Sequence, residues 1–385
     1  MAESSKRCGI YVHVALCRSK CIYCDFYSEV CRPDTDWRQY VKTVLDEFKL
    51  RRGELAGMNE ITIYIGGGTP SLLPPDLFAE LMSGIREIAF DTVDSLKIME
   101  TTMEVNPDDV SMDRAVMWKN AGVDRVSMGV QSLNDIELRR IGRRHNAVEA
   151  QNAYRVLADI FDNVSLDLMF GLPGQTLDSL SSTIDAFIKM HPQHISAYSL
   201  MYEERTALTR LRDAGKIEEA DENLSVEMFR MINDRLKEAG YFRYEISNYA
   251  LPGFESKHNS AYWKRTPYIG LGPSAHSFDG DRRRRWNVAD NRKYMIGVGN
   301  TDKYFEIETL AEEEINEEVI MTGLRTSKGI DLEYYEETFG SEAKNRLLYN
   351  AAKAIKSGLL ECNEGCLRLT DTGVMVSDEI IVELF

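Results

Sequence analysis

The feature that most constrains this chain is an alternation, kept up through its first 240 residues, between short β-branched runs and amphipathic helical stretches. Candidate strands lie at 9–14, 61–65, 102–105, 125–129, 164–169 and 194–200, and candidate helices at 35–51, 75–89, 108–120, 148–160, 177–190 and 220–239. Repeated βα units build a parallel sheet, because each helix carries the chain back to begin the next strand in the same direction. Six units predict an α/β fold of the partial-barrel kind, short of the eight that close a TIM barrel. Barrels of this class place their chemistry just beyond the C-terminal ends of the strands.

Those positions hold the unusual residues. The first strand runs into Cys17-Arg18-Ser19-Lys20-Cys21-Ile22-Tyr23-Cys24, a C-x3-C-x2-C spacing. Three thiolates on one short loop can hold three corners of a cubane iron–sulfur cluster, where a complete cage takes four, and the fourth iron is then open to a substrate. Zinc fits poorly, since it takes four ligands in spaced pairs and neither a second C-x2-C nor an H-x3-5-H follows. Seven cysteines in 385 residues, an odd and sparse set with no secretory signal before them, argue against a disulfide framework. The remaining plain reading, three unrelated buried thiols, is disfavoured by their crowding.

Gly66-Gly67-Gly68-Thr69-Pro70 follows the second strand. Alone such glycines make a turn; the run lacks both the dinucleotide and the nucleoside-triphosphate signatures, but it leaves backbone open to close approach by a ligand. Glu104-Val105-Asn106-Pro107 ends the third strand, Gln131 follows the fourth, Asp167 lies in the fifth before Gly171-Leu172-Pro173-Gly174, and Tyr198 lies in the sixth. For Glu104 the plain alternative is a solvated strand-end carboxylate.

Composition sets the outer bounds. The length suits a large α/β barrel with an appendage, and 43% apolar residues can build its core. A formal charge of −16 argues against nucleic acid or anionic lipid as partners. No apolar run reaches the roughly 18 residues that span a bilayer, and Met1 to Arg7 is polar, so a cytoplasmic protein is expected. Beyond residue 240 the chain turns rich in aromatics, glycine and proline without clear periodicity, which suits a lid or ligand-binding segment over 241–305. Arg282-Arg283-Arg284-Arg285 within it reads first as a solvated loop, with anion pairing as the alternative. The tail, 306–385, offers helices at 312–327, 332–339 and 343–357 and a hairpin turning at Asn363-Glu364-Gly365. That order suggests a winged-helix-like unit, and its acidity points to packing or partner docking and not to DNA. Cys362 and Cys366 face each other across the turn and are expected to be free thiols.

Tyr11-Val12-His13-Val14, the cysteine triplet with Asp25-Phe26-Tyr27-Ser28, Ser127-Met128-Gly129-Val130-Gln131-Ser132 and Leu138-Arg139-Arg140-Ile141-Gly142-Arg143-Arg144-His145 together resemble radical S-adenosylmethionine (SAM) proteins of the coproporphyrinogen dehydrogenase/HemW group. The resemblance runs along essentially the whole chain. It implies a partial (β/α)6 TIM-like radical SAM barrel over 1–240, a porphyrin-binding or lid segment over 241–305 and a C-terminal α+β winged-helix-type domain over 306–385. It also implies a 4Fe-4S cluster on Cys17, Cys21 and Cys24 whose open iron chelates the methionine end of SAM; reduction then releases a 5′-deoxyadenosyl radical. By the same resemblance Tyr11, Tyr23, Gly67, Gly68 and Thr69 serve SAM binding and Glu104 meets the ribose hydroxyls. Gln131, Arg143 and Asp167 correspond to residues that hold a second SAM in the dehydrogenase branch.

His258-Asn259-Ser260-Ala261-Tyr262-Trp263 matches an H-N-x-x-Y-W motif of the heme-carrier branch. Histidine can ligate heme iron, with Tyr262 and Trp263 facing the porphyrin. A lone histidine beside aromatics is, however, more often a packed, hydrogen-bonded residue, and His276 is a competing ligand. Two functions of different class follow: a carrier that binds heme and passes it to an acceptor protein, or an oxygen-independent coproporphyrinogen III dehydrogenase that turns propionates into vinyl groups. Three features favour the carrier. Phe26 stands where the dehydrogenases resemble C-x3-C-x2-C-x-C, only sixteen residues precede Cys17, and the H-N-x-x-Y-W motif is present. The implied partners are heme or porphyrin, the acceptor and an electron donor for the cluster. Action on RNA is set aside on the acidic charge.

Overall fold

Six strands run parallel and in chain order in the computed structural model, which describes residues 6–385. They are β1 (Arg7–Val14), β2 (Glu60–Gly67), β3 (Lys97–Val105), β4 (Arg125–Gln131), β5 (Val164–Phe170) and β6 (His194–Ser199). The six expected strands are all present, as are the helices between them, among them Trp37–Arg51, Pro75–Thr92, Ala147–Ile160 and Leu177–Met190. The third strand begins five residues earlier than its pattern suggested, because Glu100 and Thr101 interrupt the run after Ile98 and Met99.

The alternation along these strands explains the architecture. Ile10, Val12 and Val14 of β1, Ile61, Ile63 and Ile65 of β2, Val126, Met128 and Val130 of β4, and Val164, Leu166 and Leu168 of β5 are buried in one core with the helices. The residues between them are polar: Tyr11 and His13, Thr62 and Tyr64, Thr102 and Glu104, Arg125 and Ser127, Ser165 and Asp167, His194 and Ser196. Parallel strands covered on both faces ordinarily read as unbroken hydrophobic runs. Here only the outer face does, so the inner face is left to a polar cavity.

Register delivers the strand-end loops side by side. β1 pairs with β2 from Arg7↔Glu60 to Val14↔Gly67, so the cysteine loop and the glycine loop leave the sheet as neighbours. Glu104 lies level with Ser127, Ser165 and His194, and the next inward row, nearer the strand ends, sets Gly129, Asp167 and Ser196 side by side.

The segment after residue 240, irregular in its sequence pattern, is built into the sheet. Phe242–Glu245 and Asn248–Ala250 add antiparallel strands beyond β6, while Tyr268–Leu271 pairs parallel to β1 and is followed by His276–Phe278, Arg283–Asn287 and Phe305–Thr309, which completes a twelve-stranded sheet. These strands of three to five residues are too short to show a period in the sequence. The arginine run is likewise a strand and not a solvated loop, its side chains alternating between two sets of partners. Arg284 pairs with Glu318, as does Arg265, while Arg285 lies 3.6 Å from the Phe305 ring centre and donates to the Tyr304 hydroxyl at 2.9 Å.

The C-terminal unit has its own apolar cluster, built from Ile320, Tyr335, Leu347, Ala351, Leu360, Leu367 and Ile380. Helices Glu312–Arg325 and Leu332–Lys356, the latter bent at Gly340, precede the hairpin Leu360–Asn363 and Cys366–Leu369. Glu364 and Gly365 both take positive φ, 50° and 78°, as a two-residue type I′ turn requires. Cys362 and Cys366 are free thiols. Among the described residues no helix is long and apolar enough to cross a membrane.

Because the barrel is held from outside, truncating the helical layer should weaken it. Phe187→Ala, at a fully buried position, is expected to cost about 3–5 kcal/mol in a urea unfolding curve.

Candidate cofactor site

The cysteine loop is closed at its root by a short parallel ladder that pairs Leu16 with Glu29 and Cys17 with Val30. Inside it, Ile22 and Tyr23 pack on an apolar cluster of Ile141, Met169, Leu172, Leu200 and Leu208, and the Ile22 carbonyl accepts from the Leu208 N–H at 2.8 Å. The glycine loop holds the other side. Gly68 N donates to Val14 O at 2.8 Å, Thr69 N to Leu16 O at 2.9 Å, and the Thr69 hydroxyl reaches Cys17 Sγ at 3.4 Å. A Cβ on Gly68 would stand 2.6 Å from Val14 O and 3.0 Å from Cys17 Sγ, so only glycine lets the two loops meet this closely.

Around them opens a cavity of about 410 Å3 at the C-terminal end of the strands. Cys17, Cys21, Tyr23, Cys24, Gly67, Gly68, Thr69, Glu104, Gln131, Arg143 and Asp167, all singled out in the sequence, line it together. Arg143 donates to Asn106 Oδ1 at 2.7 Å and to the Gly129 carbonyl at 2.5 Å, with Nη1 3.5 Å from Cys21 Sγ. Gln131 sits at a bulge in β4 with φ 69°, a left-handed conformation uncommon outside glycine and one that turns it from its strand register.

The donor set suits a cubane. Among the described residues no three His, Cys, Asp or Glu side chains converge on a single ion position. A cubane gives each thiolate its own iron, so cysteines spread around one cavity fit a cluster where they would not fit zinc. Burial pushes the Cys24 thiol up to about 11, the backbone at Phe26 opposing and Cys21 and Cys17 adding; iron would reverse this, since a coordinated thiol is deprotonated.

Two carboxylates share the interior. Glu104 accepts from the Tyr64 hydroxyl at 2.8 Å and from Gly67 N at 3.0 Å, and burial raises it to about 7. Asp167 accepts from Ser127 at 3.1 Å and is raised by burial to about 6. Arg125 lies with them, 1% exposed, and its Nε and Nη1 have no hydrogen-bond partner. Its charge holds both carboxyls lower than burial alone would leave them. Arg125 and Ser196, which the sequence does not single out, line the cavity, as does Asn259 of the H-N-x-x-Y-W motif. For Arg125 the available signal was an arginine at an inward position of an otherwise apolar strand.

Four expected residues stand elsewhere. Tyr11 is not on the cavity wall: its hydroxyl bonds His13 Nδ1 at 2.8 Å, and the His13 ring fills the space where a Gly67 Cβ would be, 2.7 Å away. It therefore supports the glycine loop from beneath. His258, 1% exposed, is bonded through Nδ1 to the Thr62 hydroxyl at 2.8 Å and through Nε2 to the Tyr262 hydroxyl at 2.9 Å, and its ring stacks on Tyr64. With both nitrogens engaged inside the barrel, neither it nor Tyr262 is placed to meet heme iron in this arrangement. Burial lowers the imidazole to about 3, with Arg125 adding, so it is neutral. Trp263 lines a different cavity, at the opposite end of the barrel.

Comparison with known proteins agrees with this geometry. A family model described as the radical SAM superfamily matches residues 11–187, and one described as the HemN C-terminal domain matches residues 310–376. The chain is 32% identical over 378 residues to the heme chaperone HemW of Bacillus subtilis, covering 96% of this chain and 97% of that one. It is 32% identical to the mitochondrial radical S-adenosyl methionine domain-containing protein 1 of Bos taurus, covering 100% of this chain and 88% of that one. Coproporphyrinogen III oxidase (HemN) of Escherichia coli shares the fold, with a TM-score of 0.82 at 22% identity over 100% of this chain and 91% of that one.

The raised carboxyls predict a pH signature. Glu104 binds its proton more tightly folded, about 7, than at its ordinary 4.5, so the folded state gains least from it once both forms are ionised. Stability of the metal-free protein should fall as pH rises from about 4.5 to 7, and thermal melting of Glu104→Gln across that window should show a flatter profile. A steeper profile in the variant would contradict the assignment.

Proposed function

The chain belongs to the HemW group of radical SAM proteins, and from that premise we propose that it is a heme carrier, binding heme and delivering it to an acceptor protein. The observation that supports the reading is 32% identity to a heme chaperone over an alignment that covers 97% of that protein's length. The cluster loop agrees: Phe26, 67% exposed at the cavity, stands where the dehydrogenase pattern has a further cysteine.

In this reading Cys17, Cys21 and Cys24 hold a 4Fe-4S cluster at the mouth of the barrel. Gly67, Gly68 and Thr69 receive the methionine end of SAM, and Glu104 accepts the ribose hydroxyls. Arg143, beside Cys21, offsets the negative charge that thiolate ligation brings, and Gln131 and Asp167 form the polar wall toward the barrel centre; occupation of that wall by a second SAM is part of the proposal. When bound and reduced by a donor protein, the cluster supplies the electron for cleavage of the SAM sulfonium. The carrier role asks for no turnover of porphyrin, so cluster and SAM serve a structural or regulatory part.

Three measurements test the reading. Anaerobic titration of the cluster-reconstituted protein with heme, followed by absorbance, should saturate; an unsaturable rise would turn the reading to the dehydrogenase. Cys21→Ala should lose the visible cluster absorption and keep its far-UV circular dichroism. Phe26→Cys, given SAM, a reductant and coproporphyrinogen, should yield no protoporphyrinogen, since one added thiol does not position a propionate.

A further inference from the structure

The cavity at the closed end of the barrel, about 770 Å3, is larger than the one at the mouth. It lies between the N-terminal ends of β1 to β3 and the C-terminal unit, and nothing in the cofactor site uses it. Its wall is mostly apolar and includes Met99, Ala261, Trp263, Val319, Ile330 and Tyr334. Sites for small molecules fall at about 300–1,000 Å3, apolar with a few convergent polar groups.

Its polar groups have a definite sign. In a chain of net charge −16, five cations (Arg7, Lys257, Lys264, Arg265, Lys328) line this cavity against three carboxylates (Glu60, Glu255, Asp331). Neither Lys257 nor Lys264 forms an ion pair among the described residues, and the Lys257 ammonium instead donates to the Met99 carbonyl at 3.0 Å. The Trp263 indole Nε1 is buried without a hydrogen-bond partner. The Arg325 guanidinium lies over the Trp263 ring, 4.7 Å from its centre, so one ring face is taken. A broad apolar wall that includes this aromatic side chain, with two unpaired ammonium groups, describes a ligand that is flat, apolar and acidic at its edge.

We propose that this closed-end cavity is the heme seat, with Trp263 against the tetrapyrrole and Lys257 and Lys264 taking its propionates. The proposal rests on the heme-carrier reading and gives it a place. The mouth cavity is smaller and is the one given to cluster and SAM in the carrier reading. Helix Lys257–Trp263 separates the two: Asn259 lines the mouth, while Ser260, Ala261 and Trp263 line the closed end.

The test is the anaerobic heme titration repeated on Ser260→Trp, which fills the cavity, and on Lys257→Glu combined with Lys264→Glu, which reverses its two unpaired charges. Both should weaken heme binding at least tenfold and leave visible cluster absorption and SAM binding as in the wild type. Wild-type saturation with both variants also binding at wild-type strength would overturn the seat and leave the carrier reading standing. No saturable binding by the wild type would overturn both. If Ser260→Trp does not fold, the exposed lysine pair still decides, because its reversal touches no packed side chain.

Discussion

Everything in this barrel depends on a reversal of the usual interior. Burying Glu104, Asp167 and Arg125 inside six parallel strands carries a desolvation cost that apolar residues there would not, and a buried charge without partners costs far more than one that is paired. The structure meets that cost by neighbourhood: Tyr64 and the Gly67 N–H on Glu104, Ser127 on Asp167, and Arg125 between the two. The compensation is incomplete, since two Arg125 nitrogens have no partner and both carboxyls are raised. Unmet polar groups facing a cavity are what an enclosed ligand with hydroxyls and charges would satisfy. Stability is supplied by the outward half of each strand, and the inward half is left free for binding.

The same division explains how precisely placed loops can be built from small residues. The ladder from Arg7↔Glu60 to Val14↔Gly67 fixes where the chain leaves β1 and β2. Hydrogen bonds from Gly68 and Thr69 to Val14 and Leu16 then join the loops before any side chain takes part. Cys17 is thus located by backbone geometry, while Cys21 and Cys24 are carried on the arc that Ile22 and Tyr23 anchor in a separate apolar cluster. Thiolates held this way need little reordering to take iron, which lowers the conformational cost of binding.

What was legible in the sequence follows from where the information sits. The residues at the strand ends line one cavity, as the sequence suggested, because a barrel gathers strand ends by topology and cysteines, glycines and strand-terminal carboxylates there have few structural uses. Tyr11 was misplaced because a strand residue one turn of the pleat below the rim differs from a rim residue only by register. Arg125 was passed over because one arginine at a strand start looks like a surface residue until the strand is known to be enclosed. Within the H-N-x-x-Y-W helix the sequence left the role of the histidine open between iron ligand and packed group. Its histidine carries both the chemistry of an iron ligand and the geometry of a core hydrogen-bonding group, and only the positions of Thr62 and Tyr262 decide between them.

That helix is also where the two ends of the barrel meet. Glu100 accepts from the Lys257 and His258 N–H groups, fixing the helix N-terminus to β3, while His258 stacks on Tyr64, whose hydroxyl bonds Glu104. A continuous set of packed and hydrogen-bonded groups therefore runs from the mouth cavity to the wall of the closed-end cavity. Asn259, on the mouth wall, and Trp263, on the wall of the other cavity, are carried by this one helix. Linkage makes any effect between the two cavities mutual: if SAM at the mouth alters affinity at the closed end, occupation of the closed end alters affinity for SAM by the same factor. In that reciprocity a costly polar interior has a physical use beyond the chemistry at the mouth.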